Sequence, residues 1–140
     1  YIQSIPEAFD KYLSPGKPIY VQKTGVTPKD AIKAIHENGG IAILAHPLTY
    51  KFSHAELVEC IETLKSYGLE GIETYYSTFS EADHREMKRL ADQYGLLHSG
   101  GSDFHGKVKP HIQIGKGRGH LVIPYDLLDR MRAAHPELSK

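Results

Sequence analysis

Three times along this chain a helix-starting signal, a helical apolar stripe and a helix-stopping glycine occur in that order, and a run of strand formers comes directly after each. Thr27-Pro28-Lys29-Asp30 sets a hydroxyl at the N-cap, a proline at the first helical position and an acid at the third. Ala31, Ile32, Ala34 and Ile35 then share one side, and Asn38-Gly39-Gly40 ends the helix where glycine can turn left-handed. Ile41–Ala45, five apolar residues between glycines and a proline, is too short for a helix and reads as a strand covered on both faces. Ser53-His54-Ala55-Glu56 is a full capping box, with Leu57, Ile61 and Leu64 behind it, a stop at Gly68 and a strand over Gly71–Tyr76. Ser80-Glu81-Ala82-Asp83 starts a third helix with Met87, Leu90, Ala91 and Tyr94 on one stripe. It stops at Gly95, before a short strand Leu96–His98. The stops fall 29 and 27 residues apart, the length of a strand–helix unit. The expectation is an α/β fold with a parallel sheet or part of a barrel.

The ends of the chain are less regular. Residues 1–26 read as a connecting segment with a short helix at Glu7–Leu13 and an extended piece at Ile19–Gln22. Residues 27–140 carry the repeated units and close with a loop at Gly115–Gly119, a strand at Leu121–Ile123 and a helix from Pro124 to Ala134. One domain is expected at 140 residues. No methionine opens the chain, so a processed product or a piece of a longer protein is expected.

Bulk properties narrow the function. Basic and acidic residues balance at 17 each and are interspersed, which leaves no strong electrostatic signal for nucleic acid or an anionic membrane. The single cysteine, Cys60, has no internal partner, and no apolar run approaches the ~18 residues that span a bilayer. The expected compartment is the cytoplasm. Nine histidines against no tryptophan lean toward metal or proton chemistry.

In parallel α/β folds ligands gather at the carboxyl ends of the strands. Here those ends carry His46, then Glu73, then Ser99-Gly100-Gly101-Ser102-Asp103-Phe104-His105. In an extended segment Asp103 and His105 project to one side and Phe104 turns into packing. A carboxylate beside an imidazole suits Zn, Mn or Fe, and His46 would enter from a neighbouring strand as a third ligand. Gly100 and Gly101 let the backbone bend and approach a metal or phosphate. Each residue also has a plainer account. Asp-x-His can be a solvated turn, His46 a core histidine, and Glu73 a cap or a partner for lysine at the sheet rim. His98 reads as structural, and His36, His54, His84 and His135 as solvated helix residues. Lys107, Lys109 and Arg118 could meet phosphate or only water. Cys60 has no histidine signature beside it and is not expected to be a catalytic thiol. The convergence on one rim favours the site.

The segments "GGIAILAHP", "GIETYYSTFS" and "LLHSGGSDFHG", in this order, resemble the PHP (polymerase and histidinol phosphatase) superfamily, most closely its stand-alone metal-dependent phosphoesterases. The flanks "EAFDKYLSPGKPIYV" and "IQIGKGRGHLVIPYDLLDRM" extend the resemblance over nearly the whole chain. It implies the C-terminal part of a distorted (β/α)7 barrel with a two- or three-metal centre at the strand ends. On this chain His46, Asp103 and His105 would be metal ligands, and Asp103 and His105 would carry catalysis. Glu73 would stand behind the ligands, and Gly100, Gly101 and Ser102 would shape the loop around metal and substrate. Lys107 and Arg118 are nominated for substrate. The implied reaction is hydrolysis of a small, nucleotide-like phosphate ester by metal-activated water, with Mn, Zn or Fe as cofactor.

One departure is plain. The family's N-terminal half supplies a His-x-His pair, and no His-x-His occurs here. The expected partner is therefore a missing N-terminal half of the same protein. Half a barrel would also expose apolar sheet and favour self-association. The competing readings are a non-catalytic PHP-like module and a metal-dependent amidohydrolase acting on C–N bonds.

Overall fold

The computed structural model describes residues 2–21 and 25–138. Its order is α1 (Ile5–Ala8, continued by a π-helical turn at Phe9–Leu13), α2 (Pro28–Glu37), β1 (Ile43–Leu44), α3 (His54–Ser66), β2 (Gly71–Tyr76), α4 (Glu81–Tyr94), β3 (Leu97–Gly101) and α5 (Asp126–Ala134). Short 3-10 turns at Pro47–Tyr50, Gly106–Val108 and Pro136–Leu138 complete it. The three strands form one parallel sheet in the order β1-β2-β3, with Leu44 beside Ile72 and Ile72 beside His98.

The helix starts form as their side chains dictate. Thr27, Ser53 and Ser80 each accept from the third backbone N–H of their helix, and Glu56 and Asp83 close full capping boxes. Gly39, Gly68 and Gly95 all take positive φ at or just beyond the helix ends. These caps aim the apolar stripes at one side of the sheet. Ile32, Leu57, Ile61, Met87, Leu90 and Ala91 bury against Ala42, Leu69, Ile72 and Leu96. On the other side, α5 leaves a cleft of roughly 530 Å³ lined by Ile43, Glu73, Ser99, Gly100, Leu127 and Met131, among others.

Several expectations are corrected. The strand expected over Ile41–Ala45 shrinks to Ile43–Leu44, which are only half-buried, and Ala45 is exposed. β1 is an edge of the described sheet, so one side of its ladder has no neighbour there. The third strand begins at Leu97 and runs through both glycines to Gly101 rather than covering Leu96–His98. Leu121–Ile123 forms no strand and pairs with none of the three. Leu121 is buried, Val122 is exposed, and the Ile123 side chain lies against Gly100. Near the start, Ile19 lies in a turn, Tyr20 and Val21 are irregular, and Gln22 lies outside the described residues. Within 2–21, Ile5, Phe9, Ile19 and Val21 expose their side chains.

The helical histidines are not simply solvated. His36 Nε2 and His135 Nε2 take the two oxygens of Glu70, at 2.8 and 3.0 Å, while Ala42 N donates to the same carboxylate at 2.9 Å. This clasp joins α2, the start of β2 and the end of α5. His54 stays exposed, as expected, 3.4 Å from Glu86, whereas His84 sits against the Tyr75 ring and the Tyr76 carbonyl.

Candidate metal and phosphate site

β1, β2 and β3 all point their carboxyl ends at one rim, so His46, Tyr76 and Asp103 emerge as neighbours. The chain turns sharply at both outer strands. His46 has φ 31° and Asp103 φ 57°, two of only three non-glycine residues with positive φ among the described residues. Such backbone costs on the order of 1–3 kcal/mol and concentrates where function constrains the chain.

The His46 turn is held from below. Its N–H donates to Glu73 Oε2 at 2.7 Å, and Pro47 starts the following 3-10 turn. Thr49 fixes the ring. The Thr49 hydroxyl donates to the His46 carbonyl at 2.8 Å, so the contact between its oxygen and His46 Nδ1 at 2.9 Å is an Nδ1–H donation. That leaves the lone pair on Nε2, the form a metal ligand needs. His105 is arranged alike, with Nδ1 2.7 Å from the Asp103 carbonyl, a contact that only an Nδ1–H can make.

Asp103 divides its carboxylate. Oδ1 lies 3.4 Å from His105 Nδ1, whereas Oδ2 accepts from the Tyr76 hydroxyl at 3.0 Å and from the Lys109 ammonium. Lys109 chiefly holds the Asp103 carboxyl below the ordinary aspartate range, against the opposing effect of burial. Burial pushes Glu73 up, partly offset by the His46 N–H and reinforced by the Asp103 charge. Burial first, then the bond to Asp103, drives the Tyr76 hydroxyl to about 12, so it stays a donor. The Tyr76 ring also packs 5.3 Å from His46, between the two expected ligands.

The structure therefore brings Asp103 and His105 together and sets His46 on the same rim across Tyr76. Among the described residues no three His, Cys, Asp or Glu side chains gather closely enough to hold an ion. A carboxylate and an imidazole are donor types that suit a divalent ion, but among the described residues a closed three-ligand site does not form. Asp103 and His105 meet through a left-handed turn and not through extended alternation, and Phe104 stays about half exposed instead of packing.

The two glycines have a different origin from the one expected. Both lie in β3. A Cβ on Gly101 would sit 2.6 Å from Glu73 Oε1, and one on Gly100 would sit 2.8 Å from Tyr75 Cβ. They make room for the carboxylate and for strand packing. Ser102 is half-buried, and its carbonyl accepts from Ser77. Lys107 is exposed and makes no hydrogen bond or ion pair among the described residues. Arg118 is also exposed, although its charge reaches Tyr76. Tyr76 and Thr49 escaped the sequence reading; the available signal was that Tyr76 ends β2 and Thr49 follows His46 by three residues.

No family model matches the chain. A 3′,5′-nucleoside bisphosphate phosphatase of Chromobacterium violaceum is 36% identical over 114 residues, 81% of this chain and 40% of that protein. A phosphoribosyl 1,2-cyclic phosphate 1,2-diphosphodiesterase of Eggerthella lenta is 41% identical over 91 residues, 62% of this chain and 32% of that one. A 5′-3′ exoribonuclease of Escherichia coli is 34% identical over 113 residues, 81% of this chain and 38% of its own. Among solved structures, an amidohydrolase from Chromobacterium violaceum with bound sulfate and no metal matches at TM-score 0.67 and 32% identity, over 91% of this chain and 44% of that one. A protein of Bifidobacterium adolescentis named for metal-dependent phosphoesterase activity shares the fold at TM-score 0.66 and 23% identity, over 91% of this chain and 43% of that one. This chain thus spans between about a third and two fifths of the length of the curated relatives it matches. Over most of its length the chain is thus similar to enzymes named for phosphatase, phosphodiesterase and exoribonuclease activity, in keeping with the resemblance to the PHP superfamily carried by the motifs at its three strand ends.

Proposed function

We propose that the whole protein hydrolyses a phosphate ester of a nucleotide-like substrate with divalent metal ions, and that this chain supplies one flank of the metal centre. On this reading β1–β3 are consecutive strands of a (β/α)7 barrel whose other strands come from the rest of the protein. The observation that carries it is the arrangement at the end of β3. The Asp103 carboxylate is fixed by Tyr76 and Lys109, and the neighbouring His105 is held in the tautomer that leaves Nε2 free. Asp103, His105 and His46 would hold the ions, and Glu73 would keep the His46 turn in place. Imidazole with carboxylate suits Mn, Fe and Zn alike. A bound ion would neutralise phosphate oxygens and make water a stronger nucleophile. This chain's residues orient the ligands, and Tyr76, held protonated, stabilises the charge on Asp103.

The relatives named for phosphatase, phosphodiesterase and exoribonuclease activity support a phosphorus centre with nucleotide-like character. The amidohydrolase name of one structural relative supports a second reading, hydrolysis of a C–N bond. The test is Mn²⁺-dependent phosphate release from a 3′,5′-bisphosphorylated nucleoside by the full-length protein. Asp103→Ala and His46→Ala should each lower kcat by at least about a hundredfold and reduce metal content. Unchanged activity in either variant sinks the assignment, and hydrolysis of a cyclic amide without phosphate release would favour the second reading.

A further inference from the structure

Among the described residues Lys109 is the one ammonium that touches an expected metal ligand, and three features place it there. Lys109 precedes Pro110, which keeps its backbone out of the helical region (φ −126°, ψ 71°). Ile112, buried in the structure, donates its N–H to the Lys109 carbonyl at 3.0 Å and anchors the loop. The side chain folds back onto Asp103 Oδ2, yet stays 39% exposed at the rim. An ammonium spends one N–H on this contact and keeps two for other acceptors.

An ammonium and a divalent cation on one small carboxylate repel each other at short range. Oδ2 already accepts from Tyr76, which carries no charge and need not leave when an ion arrives. We propose that Lys109 is an exchangeable counter-charge: it neutralises Asp103 until a divalent ion binds there, then swings to the phosphate group of the substrate on the same rim. The swing needs only side-chain rotation, because the loop backbone is pinned by Ile112. Metal and phosphate binding are thereby coupled, and by linkage each strengthens the other. Lys107 and Arg118 have no such contact, so the coupling belongs to Lys109 alone. The inference rests on the metal-dependent phosphoesterase reading.

The test compares the full-length wild type with Lys109→Met and Lys109→Arg. Free Mn²⁺ is followed by electron paramagnetic resonance, and inorganic phosphate is titrated against the Mn²⁺-saturated protein. Lys109→Met should bind Mn²⁺ about three- to tenfold more tightly, because the competing charge is gone. The same variant should bind phosphate about tenfold more weakly, and Lys109→Arg should recover most of the phosphate affinity. A merely structural role for Lys109 would weaken Mn²⁺ binding instead, so the sign decides. Unchanged or weaker Mn²⁺ binding in Lys109→Met, or unchanged phosphate binding, overturns the proposal. Phosphoester hydrolysis alongside unchanged Mn²⁺ affinity overturns it alone. A wild type that shows the exchange but hydrolyses no phosphoester overturns only the reading beneath it, and a wild type that binds no Mn²⁺ overturns both.

Discussion

At the scale of single residues, the site is organised by what lies behind the expected ligands. Glu73 is the clearest case. Its carboxylate is partly buried, holds the His46 N–H and fits only because position 101 has no side chain. Gly101→Ala should therefore push Glu73 aside and leave the His46 N–H without its acceptor. The expected cost is about 1–3 kcal/mol in urea unfolding, the range for orphaning a buried polar group. In a Glu73→Ala background the same substitution should cost markedly less, because the two positions share one contact. Equal costs in both backgrounds would show that Glu73 is not what Gly101 accommodates. That Glu73 lies on the second strand was legible in sequence, although the structure sets it at mid-strand and ends the strand at Tyr76. The partner of Glu73 was not legible, since a carboxylate reaching a backbone N–H 27 residues away leaves no local trace.

At the scale of elements, the helices were the most legible part because their ends are decided by neighbours in sequence. The Ser80–Asp83 box satisfies two backbone donors of α4 within four residues. Ser80→Ala should cost about 1 kcal/mol in a thermal or urea melt. No loss would mean that packing of Met87 and Leu90 alone sets the start of α4. Strands behaved differently, because a strand's length is set by what lies beside it. Ile41–Ala45 is apolar throughout, yet only Ile43 and Leu44 pair, with β2 on one side alone. Leu121–Ile123 has equally good strand character yet pairs with no strand, and its Ile123 side chain lies against Gly100 instead.

At the scale of the whole molecule, Asp103 and Glu73 tilt the dependence of stability on pH in opposite directions. Asp103 titrates lower in the folded chain than in the unfolded one, so the unfolded state binds more protons there. Its contribution is present above the ordinary aspartate value of 3.8 and is lost as pH falls through the lowered value. Glu73 titrates higher when folded, so stability declines as pH rises from 4.5 through its raised value. Asp103→Asn should be less stable than wild type at neutral pH by about 1 kcal/mol, a modest figure because Lys109 is partly solvated. That gap should close in acid. Glu73→Gln should gain on wild type as pH rises across the same carboxylate range. Urea midpoints measured from pH 3 to 7 check both, and parallel curves for all three proteins would contradict the assignment. The Glu70 clasp on His36 and His135 lies apart from this rim and ties α5 to the sheet.

The sequence by itself determined where the capped helices begin, the order of the strand–helix units and the rim at which His46, Asp103 and His105 emerge. Those follow from interactions within a turn or two of chain and from the rule that parallel strands point one way. Only the tertiary structure decided how long each strand is, that Gly100 and Gly101 yield space to Tyr75 and Glu73, and that Tyr76 and Lys109 divide one carboxylate oxygen. Each of these depends on atoms distant in sequence meeting within a few ångströms, where excluded volume and charge act and local patterning does not.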